Sequence, residues 1–166
     1  MPENKFQAIF FDNDGLLVAT EPLYFKATQE ILARVGVEIS KEWYVHENLG
    51  KGSKSFDLAR DKGIPEDQIV KLRKESDDLY EKMLQEDVRV LDSVIEVLEK
   101  LKGKFLMGIV TSSKKSHFDI IMEKTNLRKF FDFSITRDDV SHGKPHSEPY
   151  LKAIEISGIP KELVLS

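Results

Sequence analysis

Asp12 and Asp14, one residue apart at the end of the apolar run Phe6-Gln7-Ala8-Ile9-Phe10-Phe11, are the residues of this chain best suited to chemistry. Carboxylates at that spacing can divide labour, one coordinating a cation or attacking an electrophile while the other moves a proton. Phe6, Ala8, Ile9, Phe10 and Phe11 read as a buried strand, so the pair falls just past its carboxyl end, where open α/β sheets place their ligands. Gly15 lets the chain turn away sharply there. The same residues also suit an Asx-type turn that merely punctuates a strand, since Asp and Gly are ordinary turn residues.

Two later segments shift that balance. Phe105-Leu106-Met107-Gly108-Ile109-Val110-Thr111-Ser112-Ser113 is a second apolar strand ending in hydroxyl residues, and Gly143-Lys144-Pro145 sets a lysine in a tight loop before a helix that starts near Pro149. A carboxylate pair, a hydroxyl and a lysine, each from a different strand end or its following loop, can converge on one anion. Taken singly, Thr111 could cap the next helix and Lys144 could be a surface lysine. In order and context the three pieces resemble the haloacid dehalogenase-like superfamily, whose motifs are an apolar strand with DxDG, a strand ending in Thr or Ser, and a Lys often followed by Pro. The stretch Leu16-Leu17-Val18-Ala19-Thr20-Glu21-Pro22-Leu23 is also similar to the start of the helical cap in the phosphoglucomutase-like branch.

That resemblance implies a mechanism residue by residue. Asp12 is expected to attack phosphorus and form an aspartyl-phosphate, and Asp14 to act as acid and then base. Mg²⁺ is expected on the Asp12 carboxylate and the Asp14 backbone carbonyl. The Thr111 hydroxyl and the Ser112 N–H would hold phosphoryl oxygens, and Lys144 would neutralise charge. Lys51, in the cap loop Gly50-Lys51-Gly52-Ser53-Lys54, could reach substrate or be a plain exposed lysine. Members of the family that cleave carbon–halogen bonds or phosphonates lack Asp at the position of Asp14, so phosphate esters are the expected substrates. The cap loop has no Arg of the kind expected in a β-phosphoglucomutase, which favours a phosphatase acting on a small phosphorylated metabolite such as a sugar phosphate. The alternatives are a phosphoglucomutase-like transfer, or an inactive fragment that serves as a binding or assembly module. In the family a further acidic motif follows the strand beginning at Leu163-Val164-Leu165. The resemblance therefore reads the core as incomplete at its carboxyl end, with an exposed sheet edge that encourages self-association.

His142 and His146 flank Lys144, but they read as solvent-facing loop residues rather than metal ligands, because an i, i+4 pair meets readily on a helix and Pro145 forbids one here. A phospho-acceptor receiver domain also groups acids, a hydroxyl and a lysine at strand ends. It has no helical insertion after its first strand.

The elements that must position these residues read as an α/β core interrupted by helices. Residues 1–20 and 88–166 are expected to form a Rossmann-like parallel sheet with helices on both faces, and residues 21–87 an inserted all-helical cap. In the insertion, Leu23, Ala27, Ile31 and Val35 make one helical face, and Ile69, Leu72, Leu79 and Met83 mark a long polar helix opened by Pro65. Leu91, Val94, Ile95, Leu98 and Leu101 form another helical stripe before the second strand. With 166 residues there is room for one domain and a modest insertion. A formal charge of −4 offers no basic field for nucleic acid or anionic membrane. Without cysteine there is neither a disulfide framework nor a thiolate metal site. No apolar segment approaches the ~18 residues of a membrane span and no secretory signal is visible, so the cytoplasm is the expected location.

Overall fold

The computed structural model describes residues 5–49 and 54–166. The chain divides into two compact units, Met1–Ala19 with Val88–Ser166, and Thr20–Asp87. Among the described residues, no helix is long and apolar enough to cross a membrane.

The first unit is built on four parallel strands: β1 (Ala8–Phe11), β2 (Leu106–Val110), β3 (Phe133–Ile135) and β4 (Val164–Leu165), in the spatial order β3-β2-β1-β4. Ala8, Ile9 and Phe10 are all buried, as are Met107, Ile109 and Val110. Consecutive burial replaces the alternation of a half-exposed strand, because both faces of a parallel sheet are covered. Among its described residues this unit has the α-helices α5 (Val94–Leu101), α6 (Lys115–Thr125) and α7 (Glu148–Ser157), numbered after those of the second unit. Ala153 of α7 joins Ala8, Phe10, Val110 and Ile135 in one core cluster, with Tyr150 and Ile154 against it. On α5 only Leu98 of the expected stripe is fully buried, whereas Ile95 lies on the exposed side. The chain leaves and re-enters this unit at one place, where the Ala19 N–H donates to the Arg89 carbonyl at 2.9 Å and the Leu91 N–H to the Leu17 carbonyl at 3.0 Å.

Among the described residues, the regular elements of the second unit are all helical: α1 (Glu21–Ala33), α2 (Lys41–Trp43) continuing as a π-turn over Tyr44–Leu49, α3 (Asp57–Asp61) and α4 (Glu66–Asp87). Ser40 starts α2 as its side chain accepts from the Trp43 N–H. Its core gathers Ile31, Leu32, Phe56, Ala59, Ile69 and Leu72. The buried positions of α1 are Ala27, Thr28, Ile31 and Leu32, so the inward face is rotated from the expected Leu23–Val35 line. On α4 the fully buried positions are Ile69, Leu72, Ser76, Tyr80 and Leu84, with Leu79 partly buried against the core and Met83 half-buried. A buried serine interrupts the apolar series and hides its phase from a reading of apolar residues alone.

Gly108 is where β2 allows a neighbour to come closest. A Cβ there would lie 2.3 Å from Cζ of Phe133, whose ring packs edge-on to Phe10 at 5.4 Å between centroids. Gly108→Ala is therefore expected to destabilise the chain by roughly 1–3 kcal/mol, as overpacking does. Combining it with Phe133→Leu should cost less than the sum of the two single changes. Denaturant melts of the three variants measure this, and a Gly108→Ala chain as stable as wild type would refute the packing of β2 on β3.

Candidate active site

Parallel pairing sets the frame of the site. Phe11 of β1 lies opposite Ile109 of β2, so the residues that follow each strand emerge at the same sheet edge. After β1 the chain folds into a tight turn: the Leu17 N–H donates to the Asn13 carbonyl at 2.9 Å and the Gly15 N–H to the Val18 carbonyl at 3.0 Å. Gly15 holds φ +72°, a conformation that costs a side-chain-bearing residue and costs glycine little. This turn leaves Asp12 exposed and brings Asp14 back toward β2.

Asp14 meets two hydroxyls. Thr111 Oγ1 donates to Asp14 Oδ2 at 3.1 Å and Ser113 Oγ donates to the same oxygen at 2.6 Å. Thr111 is buried, and its oxygen also accepts from the Ser113 N–H at 3.0 Å. It therefore does not cap the following helix, which begins at Lys115. The hydroxyl-bearing segment is fixed to the end of β3, since the Thr111 N–H donates to the Ile135 carbonyl and the Arg137 N–H to the Ser113 carbonyl, both at 2.9 Å. Ser112 is exposed on that segment, at the same edge.

Lys144 arrives from the loop before α7. Its Nζ lies 3.2 Å from Asp12 Oδ2, with the lysine side chain 18% exposed and that of Asp12 48% exposed. The ammonium also sits over the Tyr150 ring, 5.3 Å from its centroid. Asp12 Oδ1 accepts from the Asn13 N–H at 2.8 Å, so both oxygens of this carboxylate are oriented. The loop itself is tied by Glu148, whose carboxylate accepts from the N–H groups of Ser141 at 2.7 Å and His142 at 2.9 Å. The Ser141 N–H first, and then the His142 ring, hold the Glu148 carboxyl down at about 2, so it remains an anion.

Asp12, Asp14, Thr111 and Lys144 thus meet at one edge of the sheet. Lys51 lies outside the described residues. Ser113 and Glu148 were not singled out by sequence reasoning. A second hydroxyl two positions after Thr111 and an acid four positions after Lys144 were the signals available. The Asp12 carboxylate and the Asp14 backbone carbonyl are oxygen donors of the kind a hard cation such as Mg²⁺ takes. Chemically, the cluster offers a partly exposed carboxylate poised beside a cation, and a second carboxylate that can exchange a proton with its surroundings.

The chain is also similar to known proteins. The sequence is 28% identical over 162 residues to the pyrophosphatase PpaX of Bacillus cereus (strain AH820), covering 97% of this chain and 73% of that protein. It is 25% identical over 169 residues to a phosphorylated carbohydrates phosphatase of Thermotoga maritima, covering 96% of this chain and 74% of the other. The fold matches the crystal structure of a predicted phosphoglycolate phosphatase of Haemophilus somnus 129pt with a TM-score of 0.86. That match has 22% identity and covers 98% of this chain and 76% of the other, so the likeness is one of fold. The model of the haloacid dehalogenase-like hydrolase family matches residues 9–166, and the chain belongs to that family.

Proposed function

We propose that this chain is a phosphatase of small phosphorylated metabolites that works through a phosphoryl group carried transiently on Asp12. The observation that carries this reading is the pairing of two unlike carboxylates. Asp12 is half exposed and lies 3.2 Å from the Lys144 ammonium, while Asp14 is clasped by the hydroxyls of Thr111 and Ser113. In the first half-reaction an Asp12 oxygen attacks phosphorus, the bond from phosphorus to the ester oxygen breaks, and Asp14 gives its proton to the departing alkoxide. In the second, Asp14 takes a proton from water as that water attacks the phosphorus of the aspartyl-phosphate. Inorganic phosphate leaves and the Asp12 carboxylate is restored. Lys144 offsets negative charge that gathers on the equatorial oxygens as the transferring group flattens. Thr111 and the Ser112 N–H are the phosphoryl-binding groups at the end of β2.

Hydroxyls suit the partner of a group that must both give and take a proton. Thr111 and Ser113 donate to Asp14 when it is ionised, and either oxygen can accept when it is protonated. The Asp12 carboxylate and the Asp14 backbone carbonyl are the groups that would hold Mg²⁺, which supplies charge neutralisation at the nucleophile and phosphoryl oxygens when bound. The names of the relatives, a pyrophosphatase and a carbohydrate-phosphate phosphatase, support phosphate esters or anhydrides of small molecules as the substrate class. The absence of Arg from residues 50–54 favours transfer to water over transfer to a second sugar hydroxyl.

The test is turnover of an aryl phosphate and a panel of sugar phosphates, with Mg²⁺ and after chelation. Hydrolysis should require the metal and return when it is restored. Asp12→Asn should fold as wild type does and lose activity by on the order of 10³-fold or more. Hydrolysis by that variant at the wild-type rate would overturn the reading. Ser113→Ala should lower kcat by roughly 10-fold through misplacement of Asp14, with an unchanged melting temperature. Ser113→Thr, which keeps the hydroxyl, should retain most of the rate, and equal loss in both variants would remove Ser113 from the account.

A further inference from the structure

The loop that delivers Lys144 also brings two imidazoles and a carboxylate together. His142 Nδ1 lies 2.8 Å from Glu148 Oε2, and His146 Nδ1 lies 4.0 Å from the same oxygen. The two rings are 4.7 Å apart between centroids and tilted by 34°. One ligand atom from each of the three residues falls within 4.8 Å of the others. Both rings face solvent, as expected of loop histidines, yet they meet without a helix. A tight turn does the work of a helix, with the His146 N–H donating to the Gly143 carbonyl at 3.1 Å.

We propose that His142, His146 and Glu148 bind a divalent transition-metal ion, with Zn²⁺ the best match, at a site separate from the oxygen donors of Asp12 and Asp14. Two imidazole nitrogens and a carboxylate oxygen form a set that zinc accepts in a tetrahedral site with its fourth position open to water. The same set is poorly suited to Mg²⁺ or Ca²⁺, which take oxygen. A tetrahedral ion with bonds near 2.0–2.1 Å needs ligand atoms roughly 3.4 Å apart. The close His142–Glu148 pair must widen by about half an ångström and His146 must move inward by a similar amount against Glu148. Both histidine side chains are more than half exposed, and His146 Nδ1, which accepts from the Glu148 N–H at 3.1 Å, gives up that bond when the ring turns toward the ion. Glu148 is prealigned, because the N–H groups of Ser141 and His142 already hold its carboxylate at the mouth of the loop. Bound ion would tie residues 142, 146 and 148 together around Lys144 and so stiffen the segment that carries the lysine to Asp12.

Titration of the chain with Zn²⁺ against a chromophoric chelator, in buffer containing excess Mg²⁺ to saturate the oxygen donors, tests this without reference to turnover. One equivalent should bind with micromolar or tighter affinity and raise the melting temperature. His142→Ala and His146→Ala, both at exposed positions, should each weaken binding by about tenfold or more, and the double variant should abolish it. His46→Ala should leave the affinity unchanged, because that exposed histidine pairs with Glu47 in the other unit. Retention of wild-type affinity in the double variant, or absence of binding by wild type, would overturn the proposal.

Discussion

The parallel ladder between β1 and β2, with Phe11 opposite Ile109, ends both strands at one edge and so determines where Asp12 and Thr111 emerge. Asp12 follows β1 directly, and Thr111 follows β2 directly. A slip of one residue in that register would turn Thr111 to the opposite face and break its 3.1 Å bond to Asp14. The register is strongly specified because both strands are buried on both faces, and because β2 carries Gly108 where the Phe133 ring needs space. Core packing therefore positions the carboxylates, and the turn at Gly15 only has to bring Asp14 back across a short gap.

Unlike surroundings make two identical side chains into different reagents. Asp12 keeps half of its surface in solvent and lies beside a cation, which suits a group that must meet an incoming ester. Asp14 faces hydroxyls that can donate or accept, which suits a group that must change protonation state within one cycle. Lys144 reaches Asp12 from a loop, so its position depends on how firmly that loop is held. Glu148 supplies that hold by accepting two backbone N–H groups from the loop's first residues, and Tyr150 on α7 supports the ammonium from beneath.

The strand ends were legible in the sequence because an apolar run that stops at a charged or hydroxyl residue marks both the element and its chemistry. Asp12, Asp14 and Thr111 were singled out in that way, and Lys144 from its tight Gly-Lys-Pro loop. Ser113 was not, since its place comes from the path after β2, which an Arg137 N–H to its carbonyl fixes from the turn after β3. Glu148 looked like an ordinary acid in the first turn of a helix, and only the folded loop shows what its carboxylate ties down. On the long helix α4 the inward face was legible through Ile69 and Leu72 and less so beyond, because Ser76 is buried where periodicity calls for an apolar residue. The meeting of His142 and His146 was hidden for a similar reason: spacing rules describe helices and strands, and a turn closed by one backbone bond obeys neither.

Covalent trapping tests the central claim most directly. The chain is quenched in acid during turnover of an aryl phosphate, digested, and its peptides are weighed by mass spectrometry. A phosphoryl group on the peptide containing Asp12, lost when the substrate is exhausted, is the predicted result. Turnover with no phosphorylated peptide, or with the phosphoryl group on a different residue, would contradict the account.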